Sequence, residues 1–394
     1  MKKIFLIILI LWGSKISFAD YWTQKADLPS ERSDAIGFSI GNYGYAGTGY
    51  GISSVAYDDF WQYDPSINNW NIKANVPNQP RYGATATSCL GKGYVGLGNY
   101  IGFKNDWWEY DPVLDSWTQK NNFPGNPREF ASSFSIDSNV YVGCGLDATG
   151  PLRNWWQFNV FSNTWTSIDS LPTPGLGFFA CVALSLNGKG YVMTGYLSGN
   201  KVYEYDPVLQ QWNLKNNFPG MIRYAACGFS IGDFGYLGTG DTGQIVSQLK
   251  DFWQYDPSTD QWFQKNDFSG IARGSSLAFT IGDKGYIGCG INGGNKLKDF
   301  WEYTPDSTTS ISENHSHLSE ILLSPNPTTS FLKLRTTQHI AHIELFNLLG
   351  EKVPVAVDRE LRTVNCELIP PGIYILQASG EEKISRIKFI KSSD

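Results

Sequence analysis

The sequence predicts an all-β chain: a six-bladed β-propeller closed by its own N-terminal strand, followed by a small C-terminal β-sandwich. Three observations predict it. A Tyr-Gly phrase returns at steps of 45–50 residues through most of the 394-residue chain. A second phrase, "FWQYDP" at 60–65, follows each copy of the first. The composition, 15% aromatic with 41 glycines, suits pleated strands and tight turns.

The repeat justifies the blades in order. "GYAGTG" at 44–49 returns as "GYVGLG", "VYVGCG", "GYVMTG", "GYLGTG" and "GYIGCG", which places repeat tyrosines at Tyr45, Tyr94, Tyr141, Tyr191, Tyr236 and Tyr286. "FWQYDP" returns as "WWEYDP", "WWQFNV", "VYEYDP", "FWQYDP" and "FWEYTP". Five residues after the last position of the first five copies stand Trp70, Trp117, Trp165, Trp212 and Trp262. Each unit reads as four strands: a small apolar one, the Tyr-Gly strand, the Trp-rich strand and a strand that begins at the spaced Trp. "GNYG", "GDFG" and "GDKG" supply positive φ for the hairpin between the first two. Asp-Pro starts the turn between the last two. Four strands repeated at this period define a propeller blade.

Residues 20–305 resemble the kelch-repeat β-propellers, with the Gly-rich second strand, the Tyr-Asp-Pro and the spaced Trp as marks. "GYVMTG" and "WWQFNV" are degenerate copies. The sixth copy lacks a fourth strand, since Ser310 stands where the spaced Trp belongs. "WTQKADLP" at 22–29 repeats the fourth-strand phrase "WTQKNNFP" at 117–124. The N-terminal segment is therefore expected to add the missing outer strand and close the ring, which protects a sheet edge.

The two ends carry export signals. Lys2 and Lys3 precede the apolar run Ile4–Trp12, and Ser17 and Ala19 suit a cleavage site, so residues 1–19 read as a signal peptide. That run is too short for a membrane span, and no later stretch is long enough. Residues 306–319 are polar and read as a linker. From 320 to 394 come alternating strands with Gly and Pro turns. The blocks "PNP" at 325–327, "LFNLLGEKV" at 345–353, "PPGIYIL" at 370–376 and the basic end "KFIKSSD" resemble the C-terminal sorting domain of the type IX secretion system of Bacteroidetes. The resemblance implies contact with that secretion machinery and a secreted or outer-membrane-surface location.

Composition removes several function classes. The formal charge of −6 falls to −9 once the leader takes three lysines with it, so no nucleic-acid partner is expected. His315, His317, His339 and His342 all lie outside the repeat region, which leaves it no Ser-His-Asp site and no imidazole metal site. No cofactor and no metal are expected, and the chain is expected to be a monomer. Cys89, Cys144, Cys181, Cys227, Cys289 and Cys366 show no disulfide-framework spacing and read as buried apolar fillers.

What remains is a ring. Thirteen residues before the repeat tyrosines stand Arg32, Arg81, Arg128, Arg223 and Arg273, with Phe178 in the fourth unit. In the propeller reading they open the innermost strands at the channel mouth, where guanidiniums would hold a carboxylate or other anion bidentately. The alternative is architectural: each Arg pairs with a carboxylate or backbone carbonyl of a neighbouring blade. Beside them, Tyr82, Tyr224 and Phe179 offer flat faces for a sugar ring. The variable loops after the second strands share this face and bring Tyr50, Tyr57, Tyr100, Phe103 and Arg153. Two functions stay open. One is a binding module recognising a glycan or a surface protein, which includes an adhesin or scaffold. The other is an enzyme on an anionic sugar, because some six-bladed kelch propellers of bacterial envelopes are sialic-acid epimerases. For that, Glu129 beside Arg128 is the candidate acid/base. The lack of a catalytic constellation favours binding.

Overall fold

The computed structural model describes residues 19–173, 177–244 and 248–306, then 322–324, 328–335, 342–347, 352–358, 363–379 and 384–392. The leader through residue 18, the polar stretch 307–319 and "PNP" at 325–327 lie outside the described residues. The chain divides into two compact units, Met1–Thr308 and Thr309–Asp394.

In the first unit the strands form six four-stranded antiparallel sheets. Sheet I holds Ile36–Ile40, Tyr43–Gly47, Phe60–Asp64 and Asn69–Lys73. Sheet II begins at Thr85–Cys89, sheet III at Ser132–Ile136, sheet IV at Val182–Leu186 and sheet V at Cys227–Ile231. Sheet VI takes Leu277–Ile281, Lys284–Gly288 and Phe300–Thr304 from the end of the repeat region, and its fourth strand is Tyr21–Lys25. Trp22 stands opposite Tyr303 in that pairing. Its ring packs edge-on against Phe252 and Phe268 at 4.9 and 5.0 Å between centroids.

Backbone bonds between sheets run in cyclic order and return to the first. Asp34 donates to Ser275, which donates to Ala225, then Ala180, Phe130, Gly83 and back to Asp34, at 2.7–3.1 Å. All six sit at positive φ, between 49° and 57°. A second cycle joins Gly49 to Arg81, Gly98 to Arg128, Gly145 to Phe178, Gly195 to Arg223, Gly240 to Arg273 and Gly290 to Arg32, at 2.7–3.0 Å. Neither cycle uses the N-terminal strand. Buried backbone groups need partners, so these bonds fix how each sheet leans on the next.

Between sheets the packing explains the repeated Gly-Tyr. The ring of Phe279 covers Gly44, Phe38 covers Gly93, Phe134 covers Gly190 and Phe229 covers Gly285, each so closely that a methyl group there would overlap the ring. Sheet II carries Thr87 in place of the Phe, and sheet III answers with Val140 in place of the Gly. The exchange conserves volume across the interface. The first unit is all-β and propeller-like. Among the described residues its one helix is the 3₁₀ turn Ile52–Ser54, and no helix is long and apolar enough to cross a membrane.

In the second unit two four-stranded sheets share one core. One holds Leu322–Ser324, Phe331–Arg335, Thr363–Asn365 and Val357–Asp358; the other holds Lys352–Val353, His342–Asn347, Gly372–Ser379 and Ile384–Lys391. Leu332, Leu334 and Val364 from the first meet Leu345, Tyr374 and Leu376 from the second.

All six cysteines are free thiols. Burial pushes Cys89 and Cys227 up to about 11 and Cys289 up to about 12, which makes them poor nucleophiles.

Candidate functional site

The five arginines are sealed inside the sheets. Arg32, Arg81, Arg128 and Arg273 are 0% exposed and Arg223 is 1% exposed. The expected anion-binding ring is therefore not formed by them, because each guanidinium turns away from the channel into its own sheet. Arg32 bonds both oxygens of Asp59 at 2.6 and 2.7 Å. Arg81 holds Asp106, Arg223 holds Asp251 and Arg273 holds Asp299 in the same bidentate way, at 2.6–2.7 Å. The indoles of Trp61, Trp108, Trp253 and Trp301 donate to the same four carboxylates at 2.8 Å. Nη1 of each arginine also bonds a carbonyl sixteen residues on, at Thr48, Leu97, Cys144, Thr239 and Cys289. Those carbonyls belong to left-handed residues, with φ of 55–62°, that end the second strands. The arginines thus pin a strained turn, and the partner is the same sheet's carboxylate, not a neighbour's.

Sheets III and IV break the pattern in matched ways. In sheet IV, Phe178 replaces the Arg and Lys201 replaces the Asp, so neither member of the ion pair remains without the other. In sheet III the Arg remains but the carboxylate becomes Asn154, which bonds Nη1 alone at 2.8 Å. Nη2 of Arg128 is buried with no hydrogen-bond partner. Burial, opposed by Asp147, brings Arg128 down to about 10. Asn154→Asp supplies the missing partner and is expected to add about 1.5–3 kcal/mol of stability. A thermal melt checks this; an unchanged melting temperature would mean that Asp147 already compensates the charge.

One residue further along, the chain does face the mouth. The backbones of Ser33, Tyr82, Glu129, Phe179, Tyr224 and Gly274 bridge Tyr50, Asn99, Leu146, Tyr196, Asp241 and Ile291 of the loops after the second strands. This pairing, with the first cycle of inter-sheet bonds, sets six aromatic side chains, five partly buried and Tyr196 exposed, in a continuous arc over sheets I to V. Ring centroids run from Tyr50 to Tyr82 at 5.1 Å, to Phe130 at 6.4 Å, to Phe179 at 6.2 Å, to Tyr196 at 4.8 Å and to Tyr224 at 5.4 Å. Tyr196 keeps 43% of its surface exposed. Of these, Tyr82, Phe179 and Tyr224 were legible as flat faces. Phe130 and Tyr196 were not, because only the backbone bond of Phe130 to Gly83 and the bridge of Tyr196 to Phe179 bring them to the arc.

The arc's gap is polar. Ser33 donates to Asp34 at 2.8 Å, and the ammonium of Lys296 lies 4.6 Å from the centre of the Tyr50 ring. Burial raises the Asp34 carboxyl, against hydrogen bonds from Ser275 and Ser33 and the charge of Lys296. Burial likewise raises Glu129, which Asn99 opposes and the Asp34 charge reinforces. Glu129 is 8% exposed, and its Oε2 is buried without a hydrogen-bond partner. Below the mouth a cavity of ≈170 Å³ is lined by small residues such as Ala35, Ala84, Ala131, Cys181, Ala226 and Ser276. That is smaller than the roughly 300–1,000 Å³ of ordinary ligand pockets; a second cavity, of ≈520 Å³, lies beside the N-terminal strand and is lined by Gln24, Asp27, Glu31, Ile271, Lys296 and Trp301. Among the described residues no group of three His, Cys, Asp or Glu side chains is placed to hold a metal ion.

The structure defines an all-β, propeller-like unit followed by a second, two-sheet unit. Residues 323–392 match the family described as Secretion system C-terminal sorting domain. That domain directs the chain by type IX secretion to the cell surface or the extracellular space, and implies contact with the secretion machinery. No curated protein matches the chain. The chain is similar to the solved structure of YjhT, with a TM-score of 0.59 and 15% identity, over 70% of this chain and 95% of that one. At this identity the likeness is one of fold.

Proposed function

We propose that this protein is an exported glycan-binding module: a six-bladed propeller of kelch type, closed by Tyr21–Lys25, that holds its ligand at the loop-face mouth. The pairing of that strand in sheet VI and the two cycles of inter-sheet bonds support the architecture. The observation that carries the binding reading is the arc of six aromatic side chains from Tyr50 to Tyr224. Aromatic faces give large apolar contact at low entropic cost, with phenol groups left to hydrogen-bond, which suits the alternating faces and hydroxyls of a sugar. A rigid scaffold presenting variable loops is where recognition is usually built.

The enzyme reading keeps one supporting observation, the raised Glu129 carboxyl, which suits a general acid. Against it, the guanidiniums that would anchor an anionic sugar are all buried. Binding is therefore the function we assign.

A glycan array run on the protein and on Tyr82→Ala tests the assignment. The protein should bind a defined set of oligosaccharides, and Tyr82→Ala should bind the same set about two- to ten-fold more weakly, in line with one lost aromatic contact. No binding by the protein would overturn the glycan reading and point to a protein ligand.

A further inference from the structure

The carboxylates around the mouth differ in how fully they are satisfied. Asp147 accepts from Asn126, from the Thr149 hydroxyl and from the backbone of Thr149 and Gly150. Asp241 accepts from Gly243 and Gln248. Asp34 has Ser33 and Ser275. Glu129 has Asn99 alone, and its Oε2 is buried and unpartnered. Leaving such an oxygen without a donor is costly. The architecture does not ask for it: the backbone makes the bridge at this position, and the five other sheets carry Ser33, Tyr82, Phe179, Tyr224 and Gly274 there. A buried carboxylate oxygen left in that place without a donor marks a ligand contact.

Resting on the glycan reading, we propose that the ligand is an amino sugar, whose free ammonium group bonds Glu129 Oε2 between Glu129 and Asp34. Three further observations select a cation over a neutral hydroxyl or an anion. Glu129 and Asp34 repel each other, and a cation between them relieves both. Tyr82 is an electrostatic neighbour of both carboxyls and its ring adjoins that of Tyr50, so aromatic surface borders the place such a group would take. The five arginines are sealed away from an anion, and Lys296, against Tyr50, already acts on Asp34, which leaves Glu129 Oε2 as the acceptor for the ligand's ammonium.

The groups that face Glu129 are Asp34, Tyr82 and Asn99, with Lys296 acting through Asp34. A carboxyl raised by folding favours the protonated native state. Glu129 therefore costs stability as pH rises from its ordinary value of 4.5 through the raised one. Glu129→Gln removes that cost, so at neutral pH the variant should melt higher than the parent while binding less well. A residue kept for architecture would do neither.

The test is calorimetric titration of the full chain, of Glu129→Gln and of Asp34→Asn with three hexasaccharides: fully deacetylated glucosamine, N-acetylglucosamine and glucose. Melting curves are recorded alongside. The deacetylated hexamer should bind roughly ten-fold or more tightly than the other two, as a charge-assisted bond requires. Both variants should lose that preference, and Glu129→Gln should also melt higher. Equal or tighter binding of the acetylated or glucose hexamer, or a preference that survives in both variants, overturns the amino-sugar proposal and leaves the glycan reading standing. Binding of none of the three, together with a blank glycan array, overturns both.

Discussion

Arg273→Gln is expected to cost about 3 kcal/mol of stability, the low end for breaking a buried pair, because it strands the partly buried Asp299 without its guanidinium. The loss also frees the Cys289 carbonyl at the left-handed end of the second strand, and removes the stack over Phe268 at 4.8 Å. Chemical denaturation of the variant checks the figure. The pH profile gives a second check. Burial works to raise the carboxyls of Asp106, Asp251 and Asp299, yet bonds from their arginines and tryptophans hold all three below the usual 3.8. Their contribution is therefore complete above about pH 4 and lost as pH falls through the lowered values. The parent should show a steep acid limb, which Arg273→Gln flattens. A variant that melts like the parent at neutral pH would show that the pair contributes nothing.

Deleting residues 20–28 is expected to have an effect at least as large. The deletion strips the five residue pairs from Tyr21–Thr304 to Lys25–Phe300. It also removes Trp22 from between Phe252, Phe268 and Tyr303, and losing a buried Trp alone costs about 3–5 kcal/mol. Asp20 goes too, with its bonds to Asn266 and Tyr303. The Phe300–Thr304 strand becomes an open edge, a template for pairing with other chains. The two cycles of inter-sheet bonds do not use the deleted segment, so the product should be a weakened ring that aggregates on warming. Light scattering during a thermal ramp checks this. A deleted chain that melts and stays soluble like the parent would remove the N-terminal strand from any role in closure.

The all-β fold was legible because its determinants recur locally: a Gly that admits the neighbour's Phe ring, a buried Tyr, a Trp at fixed spacing. The candidate site was legible only by neighbourhood. The arginines stand out as a repeat, but sequence does not say which way a side chain turns at the start of an inner strand. A signal was present: the residue before the third strand is Asp59, Asp106, Asp251 or Asp299 wherever the arginine is doubly bonded. It changes to Lys201 where the arginine becomes Phe178. A pair that changes together within one chain points to contact. The aromatic arc draws on both inner strands and distant loops, so it exists only once Phe179 meets Tyr196 and Ser33 meets Tyr50. Glu129 stood out in the sequence beside Arg128, but its unpartnered oxygen is a property of burial alone.

The buried arginines hold the fold, and we propose that the residues beside them hold the ligand. The most direct test measures Arg273→Gln and Phe179→Ala together, each for melting temperature and for affinity toward one oligosaccharide selected on the array, below the melting transition of both. Opposite signatures are expected: Arg273→Gln melts far lower with affinity unchanged, and Phe179→Ala keeps its melting temperature within a few degrees and loses affinity. Selective loss of affinity in Arg273→Gln, with Phe179→Ala binding like the parent, would contradict this division of roles.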